Sequence, residues 1–199
     1  VNLAAALAAQ GQRVLLVDLD PQGNATMGSG VDKRSLKITV YHVLLGLSSL
    51  AEARQASETG KYDTLPANRD LAGAEVEMVD LDNRETRLKH ALAMHDKDYD
   101  FVLIDCPPSL SMLTLNGLCA ANGVIIPMQC EMLSHRGVGQ LLDTIADVTR
   151  LLNPGLVVRG ILPTMYDART THARAVLADV AERYGLPVLE PAIPRSVRF

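Results

Sequence analysis

Two aspartates at alternate positions follow a short apolar run near the start of the chain. Residues 14–17 are Val-Leu-Leu-Val, and Asp18, Asp20 and Pro21 come soon after them. An apolar run without alternation is typical of a strand buried on both faces of a parallel sheet, and alternate residues of a strand share one face. Because ligands of open α/β sheets bind beyond the carboxyl ends of the strands, the two carboxylates are candidate ligand-binding groups. The other interpretation is a turn with two solvated aspartates.

A second apolar run also ends in a carboxylate. Residues 101–104 are apolar, and Asp105, Cys106, Pro107 and Pro108 follow them. An acid at the end of a buried strand can lie near a bound Mg²⁺, usually through water, because Mg²⁺ keeps much of its hydration shell. The two prolines stiffen the adjoining loop, and a stiff loop can relay the presence of a γ-phosphate as a rigid shift. The other interpretation is a Pro-Pro turn that merely ends the strand.

The elements that position these residues alternate between strand and helix. Short apolar runs predict strands, and longer stretches of helix-forming residues predict helices. The predicted strands are 14–19, 63–67, 101–104, 124–128, 157–164 and 188–193. The predicted helices are 2–10, 38–47, 49–56, 82–94, 110–121, 137–152 and 171–184. This alternation predicts an α/β fold with a doubly wound parallel sheet, in one domain over residues 1–199.

Composition and charge limit the classes of function that this chain can have. The 199 residues are 48% hydrophobic, which is enough for one α/β domain with a large core. The net charge is −4, yet residues 150–199 hold seven arginines against four acids. This basic quarter is either a face that binds a polyanion or an ordinary surface with scattered arginines. Three cysteines are an odd number, which argues against a disulfide framework and favours a reduced, cytosolic setting. No apolar run approaches the ~20 residues that span a membrane, so no membrane insertion is expected.

Several segments resemble one known family. Residues 17–26, Val-Asp-Leu-Asp-Pro-Gln-Gly-Asn-Ala-Thr, resemble the switch I segment of the ParA/Soj partitioning ATPases, which belong to the deviant Walker A class and are related to MinD. Residues 104–109, Ile-Asp-Cys-Pro-Pro-Ser, resemble the family's Walker B and switch II segments. Further matches follow in the family's order at 127–131, 163–170 and 193–198. The resemblance covers essentially the whole chain. It implies a P-loop NTPase-like, mostly parallel twisted sheet with helices on both faces.

The resemblance also implies ATP and Mg²⁺ as cofactors and a role for each acid. Asp20 is expected to position the attacking water, because a carboxylate with a pKa of ~3.9 takes little proton from water and phosphoryl transfer gains more from alignment. Asp105 is expected to hold the water shell of Mg²⁺. Asp18 either supports the same shell or hydrogen-bonds nearby loops. The implied switch residues are Pro21, Gln22, Gly23, Cys106, Pro107 and Pro108.

In the carboxyl-terminal part, the family's adenine pocket is formed by loops after the later strands. The matching residues are Thr164, Met165, Asp167, Pro194 and Arg195. For Met165 the alternative is core packing. The resemblance further implies a homodimer formed on ATP binding, non-specific DNA binding through Arg174 and Arg198, and a DNA-bound ParB-type partner that stimulates hydrolysis. Arg169 is a weaker DNA-binding candidate that serves its own loop in the alternative interpretation. The implied location is cytoplasmic and nucleoid-associated.

One departure from the family concerns the phosphate-binding loop. Its sequence, Lys-Gly-Gly-Val-Gly-Lys-Thr-Thr, would stand immediately before Asn2. That loop supplies the backbone N–H groups and lysines that hold the phosphates, and the strand before it lies in the middle of the family's sheet. We therefore expect a chain truncated at both ends, whose 199 residues alone bind ATP poorly, are inactive and fold marginally. The alternatives are a MinD-like or cargo-positioning ATPase and a non-catalytic relative.

Overall fold

The computed structural model describes residues 1–95, 97–130, 134–167 and 169–195. Two compact units divide the chain, Val1–Ala121 and Asn122–Phe199. The single domain over residues 1–199 stays a prediction. In the described residues no helix is both long and apolar enough to cross a membrane.

The first unit is built on a four-stranded sheet with the order β2-β3-β1-β4. Its strands are β1 (Val14–Asp18), β2 (Gln55–Ser57), β3 (Tyr62–Leu65) and β4 (Phe101–Asp105). Strand β1 pairs in parallel with both β3 and β4, and β2 pairs antiparallel to β3. The predicted α/β fold with a mostly parallel sheet is thereby confirmed.

Helices cover both faces of β1. They are α1 (Asn2–Ala9), α2 (Asn24–Gly28), α3 (Val40–Leu45), α4 (Leu50–Ala53), α5 (Leu71–Glu77), α6 (Arg87–Ala93) and α7 (Met112–Ala120). Leu15 and Val17 belong to the apolar cluster that includes α3 and α5 residues. Val14 and Leu16 belong to the cluster on the other face, with Ala4 of α1. Alternate residues of β1 thus enter two different cores, which is why its sequence shows no polar alternation.

Strand β4 forms one edge of this sheet in the described part of the chain. Its pairing is with β1. The side chains at its start are apolar and yet partly open to solvent, since Phe101 is 44% and Val102 is 40% exposed. An edge strand with apolar side chains can pair with a further strand.

The second unit holds a pair of parallel strands, β5 (Gly123–Gln129) and β6 (Val157–Thr164). Its helices are α8 (Ser134–Leu151) and α9 (Thr171–Tyr184). The apolar core is formed by strand residues such as Ile126 and Ile161 together with Val176 and Val180 of α9. Gly185 ends α9 in the left-handed conformation, as glycine does at many helix ends.

Some predicted elements differ from the structure. The predicted strand 188–193 is wrong, because this segment joins β6 through a bridge at Val188 and single backbone hydrogen bonds, and Pro191 within it cannot donate to a ladder. The helix predicted from residue 82 is also wrong at its start, since Asn83 is left-handed and a 3₁₀ turn, Arg84–Thr86, precedes α6. Residues 49–56 divide into α4 and β2, and α2 and α5 were not predicted.

Candidate functional site

Three acids lie at one edge of the first unit's sheet. Asp18 of β1 and Asp105 of β4 are register partners at the carboxyl ends of two parallel strands. The pairing continues one residue further, where the Leu19 N–H donates to the Asp105 carbonyl at 2.8 Å. Asp20 is the next residue in the sequence after Leu19. Asp18 is buried, Asp20 is half-buried and Asp105 is exposed, so the edge passes from the protein interior to solvent.

Burial and neighbouring acids raise the pKa of two of these carboxylates, Asp18 and Asp105. Loss of water is the main cause that raises the pKa of Asp18, and the charge of Asp20 adds to it. The pKa of Asp105 is also raised, first by partial loss of water and then by Asp18 and Asp20. Excess negative charge at a partly exposed edge favours the binding of a cation there.

The carboxylate of Asp18 holds the loop that follows its strand. Its Oδ2 accepts hydrogen bonds from the Thr26 N–H at 2.8 Å and the Thr26 hydroxyl at 2.7 Å. Its Oδ1 accepts the Asp20 N–H at 3.1 Å. These hydrogen bonds also lower the pKa of Asp18 and partly offset its burial. Asp18 therefore makes the loop contacts that one of its two predicted roles requires, and a role in a metal's water shell stays a prediction.

Residues 20–23 form a tight turn around Asp20. The Gly23 N–H donates to the Asp20 carbonyl at 2.8 Å, and the Gln22 N–H donates to Asp20 Oδ1 at 2.9 Å. Pro21 occupies the second position of the turn, which suits its fixed φ. Gly23 has a φ of 63°, and a Cβ there would lie 2.8 Å from the Ala67 carbonyl oxygen. Only glycine fits this position without strain, and the turn fixes the direction of the Asp20 carboxylate.

The loop after β4 contains the other predicted switch residues. Burial is the main cause that raises the pKa of Cys106 to about 12, so this thiol is a packing group and not a nucleophile. Pro107 is half-buried and Pro108 is exposed. The Thr114 hydroxyl of α7 donates to the Ser109 carbonyl at 2.6 Å. The loop is therefore stiffened by its prolines and tied to α7 at its far end.

Within the second unit, the structure brings the two predicted adenine loops together. The Tyr166 N–H donates to the Ile193 carbonyl at 3.0 Å, and the Arg195 N–H donates to the Tyr166 carbonyl at 3.4 Å. Met165 has a φ of 50° and is 51% exposed. An exposed side chain contradicts the core-packing alternative for Met165. A left-handed non-glycine residue is uncommon and is found more often at functional sites.

The remaining predicted residues of the second unit have the following places. Thr164 ends β6, and Pro194 forms the bridge to Tyr166. Both carboxylate oxygens of Asp167 accept hydrogen bonds from Arg169, which lower the pKa of Asp167 to about 2. Arg169 thus serves its loop. The predicted DNA-binding residues are the exposed Arg174 of α9 and Arg198, which lies outside the described residues.

Two residues of the site were missed at the sequence level. Thr26 is buried, and its hydroxyl both donates to Asp18 and accepts the Ala67 N–H at 2.9 Å. Lys33 donates from its ammonium group to the Gln22 carbonyl and covers the turn that holds Asp20. A weak signal for Thr26 was its polar side chain two residues after the start of helix α2. No sequence signal pointed to Lys33.

Comparison with known proteins gives the family. The model described as "AAA domain" matches residues 1–158. The sporulation initiation inhibitor protein Soj of Bacillus subtilis is 45% identical over the whole chain, which covers 79% of that protein. The chromosome partitioning protein ParA of Myxococcus xanthus is 46% identical, and the chain covers 70% of it. The chain belongs to the ParA/Soj family of ATPases.

A solved structure supports the same fold for this ParA/Soj-family chain. It is that of a cobyrinic acid a,c-diamide synthase from Mycobacterium smegmatis with bound ATP analog and magnesium. The TM-score is 0.94 at 56% identity, over 98% of this chain and 79% of that one. The ligands of that protein agree with the cofactors predicted from the sequence.

Proposed function

We propose that this chain is the nucleotide-binding part of a partitioning ATPase, which hydrolyses ATP with Mg²⁺ and uses ATP binding to dimerise and to bind DNA. The observation that carries the proposal is the meeting of Asp18 and Asp105 at the ends of two neighbouring parallel strands, with Asp20 directly beyond. Family membership supports the same assignment.

The donor set suits Mg²⁺ held together with a nucleotide. In the described residues no group of three or more His, Cys, Asp or Glu side chains could hold a metal ion by itself. Mg²⁺ is usually bound through one or two carboxylates, several waters and phosphate oxygens. Asp105, exposed and repelled by its neighbours, is the carboxylate best placed to hold the metal's water shell. Asp18 supports that shell from behind.

The start of α1 adds a position for the phosphates. Val1, which directly precedes α1, has its backbone nitrogen within electrostatic range of Asp105. The amino end of α1 therefore lies at the acidic edge, and helix amino ends bind phosphate. We propose that residues upstream of Val1 in the whole protein supply the phosphate loop and a strand that pairs with β4. The 199 residues alone would then bind ATP poorly and be inactive.

In this mechanism Asp20 orients the attacking water. When bound, Mg-ATP supplies the electrophilic γ-phosphoryl group and the cation that neutralises the charge developing on it. The Gln22 N–H on Asp20 Oδ1 leaves Oδ2 to accept a hydrogen bond from water. The turn and Lys33 hold this carboxylate in place, and the pairing of β1 with β4 sets Asp105 opposite Asp18, two residues before Asp20.

The test uses the full-length protein with Asp20→Ala. We expect ATP binding and ATP-dependent dimerisation to be retained and hydrolysis to fall about 100-fold or more, because alignment of the water is lost. Asp32→Ala, an exposed acid near the same loop, is the matched control. Fluorescent-nucleotide titration and phosphate release measure the two properties separately. Normal turnover in Asp20→Ala would remove this residue from the mechanism.

The second unit supplies the adenine pocket and a DNA-binding face in this proposal. Thr164, Met165, Asp167, Pro194 and Arg195 border the adenine, since their two loops are hydrogen-bonded to each other. Arg174 and Arg198 contact DNA phosphates without sequence preference, so binding falls steeply with salt. A ParB-type protein on DNA stimulates hydrolysis, and the complex works in the cytoplasm on the nucleoid.

Charge reversal tests the DNA contacts. In full-length protein, Arg174→Glu with Arg198→Glu should abolish ATP-dependent retention on DNA and leave ATP turnover unchanged. Arg150→Glu is the matched control, because Arg150 is exposed, as Arg174 is, but pairs with Asp147 on α8. Binding is measured by retention on immobilised DNA across a salt series. Retention of the double variant at the wild-type level would refute the assignment.

A second candidate function follows from the Mycobacterium smegmatis protein, which is described as an amide-forming synthase. Such a reaction, if it took nitrogen from glutamine, would need a reactive thiolate. All three cysteines have a raised pKa because they are buried or half-buried. No cysteine of these 199 residues is therefore suited to that role. Glutamine-dependent ADP release by the full-length protein would favour the synthase.

A further inference from the structure

The peptide bond between Gln22 and Gly23 is held at both of its polar ends. The Gly23 N–H donates to the Asp20 carbonyl at 2.8 Å, and the Gln22 carbonyl accepts a hydrogen bond from the Lys33 ammonium. On the other side of its Cα, Gln22 donates its N–H to Asp20 Oδ1 at 2.9 Å. Lys33 and the Asp20 carboxylate therefore bind opposite sides of one residue, and a shift of Gln22 would move both contacts.

The stem of Lys33 packs against the same turn. Gly23 is buried and left-handed, and a Cβ on it would lie 2.9 Å from Lys33 Cδ and 2.8 Å from the Ala67 carbonyl oxygen. Ala67 is itself fixed, because its N–H donates to the buried Thr26 hydroxyl at 2.9 Å. The turn is thus enclosed by backbone on one side and by the half-buried Lys33 side chain on the other. Lys33 is the part of this enclosure that one substitution can remove without changing the backbone.

In the part of the chain that the structure describes, Lys33 does not belong to a surface ion pair. Its ammonium pairs with none of the carboxylates described there, and its hydrogen bond goes to the uncharged Gln22 carbonyl. A hydrogen bond from a charged donor is stronger than one between neutral groups, whereas an exposed ion pair contributes little. The contact between Lys33 and Gln22 is therefore suited to hold the turn in one position.

We propose that Lys33 is a positioning residue for ATP hydrolysis, which acts on the attacking water through Gln22 and Asp20. Its ammonium fixes the Gln22 carbonyl, the Gln22 N–H fixes Asp20 Oδ1, and Oδ2 of the same carboxylate orients the water. The inference rests on the proposed function, because it takes Asp20 as the residue that orients the water. It adds that the rate of hydrolysis, and not the binding of nucleotide, depends on Lys33.

The test compares full-length Lys33→Met with the wild type, because methionine keeps most of the stem over Gly23 and removes the N–H donors. We expect kcat for ATP to fall about tenfold while KM and the affinity for a fluorescent nucleotide stay unchanged. Lys33→Arg keeps a charged donor and should recover most of the rate. Lys37→Met is the matched control, since Lys37 is an exposed lysine of the same loop.

A measurement without nucleotide tests the contact itself. The Gly23 amide is buried and bonded to the Asp20 carbonyl, so its hydrogen exchange reports opening of the turn. Exchange at Gly23 should be faster in Lys33→Met than in the wild type, and unchanged in Lys37→Met. If Lys33→Met and Lys33→Arg instead lower the unfolding temperature equally and leave kcat at the wild-type value, Lys33 has a structural role and the inference is overturned.

A double variant decides whether Lys33 acts through Asp20. Residues in one hydrogen-bonded network show effects that do not add. In full-length Asp20→Ala, the further change Lys33→Met should therefore lower the residual rate less than about twofold, measured by phosphate release in a single turnover. A further tenfold loss would mean that Lys33 acts on another group, which would overturn the inference.

The remaining outcomes separate this inference from the proposed function. If the full-length wild type hydrolyses no ATP, the proposed function fails and the role of Lys33 fails with it. If the wild type and Lys33→Met hydrolyse ATP at equal rates, the proposed function stands and the positioning role is wrong. If Lys33→Met binds nucleotide more weakly and keeps its kcat, Lys33 contributes to nucleotide binding, and the inference is likewise overturned.

Discussion

The hydroxyl of Thr26 is expected to be one of the most important polar groups of the first unit. Thr26→Val keeps the shape of the side chain but removes two hydrogen bonds. The bond to the Asp18 carboxylate, at 2.7 Å, is of the charged kind that contributes about 1.5–3 kcal/mol. The buried Ala67 N–H, at 2.9 Å, would lose its acceptor, which costs about 1–3 kcal/mol. We therefore expect a loss of about 3–5 kcal/mol, a large part of the usual 5–15 kcal/mol of a domain.

Thr26→Ser is the matched control, because it keeps the hydroxyl and removes one methyl group at a cost of about 0.5–1.5 kcal/mol. Urea unfolding followed by circular dichroism gives both free energies of unfolding at neutral pH. ATP hydrolysis is measured for the same variants, because the hydrogen bonds of Thr26 also hold the loop that contains Asp20. If the valine and serine variants unfold at equal urea concentrations, the hydrogen bonds of Thr26 do not stabilise the protein and the argument is refuted.

Two pH-dependent predictions follow from other carboxylates. Burial and repulsion raise the pKa of Asp105 above 3.8, so ionisation of this carboxyl lowers the stability of the fold as pH rises through the raised pKa. Asp105→Asn should therefore raise the unfolding temperature at neutral pH in the absence of nucleotide, but not in strong acid. No increase at neutral pH would contradict this. Hydrogen bonds from Arg13 lower the Asp100 pKa to about 2, so its contribution is present above 3.8 and lost as pH falls towards 2. Asp100→Asn should make the urea midpoint depend less on pH across this range. The same dependence on pH in the wild type and the variant would contradict this prediction.

The parts of the fold that the sequence predicted best are those where one physical cause dominates. Strand β1 shows four apolar residues in succession because both of its faces are covered, and its paired acid on β4 follows from parallel register. Helix α9 was predicted with its observed bounds because apolar periodicity ends at Gly185. The position of these acids beyond the carboxyl ends of buried strands was therefore predictable from the sequence.

Other features depended on contacts between distant residues. Asp82 and Glu85 have the spacing of a capping box, but Asn83 takes a left-handed conformation and starts a 3₁₀ turn instead. There the buried Asn116 of α7 accepts the Leu88 N–H and donates to the Arg84 carbonyl, which fixes the start of α6 from outside. Local sequence carries no information on such a partner. The same holds for Lys33 over the turn at Asp20.

The apolar, unpaired side of β4 also governs how these 199 residues would behave in solution. In the described part of the chain, the backbone N–H and C=O groups on its other side have no strand partner, so they can pair with a strand from another molecule, and the exposed Phe101 and Val102 would stabilise that contact. We therefore expect concentrated samples of this sequence to self-associate edge to edge. A lysine in place of Val102 should keep them monodisperse, because a charged side chain opposes such pairing.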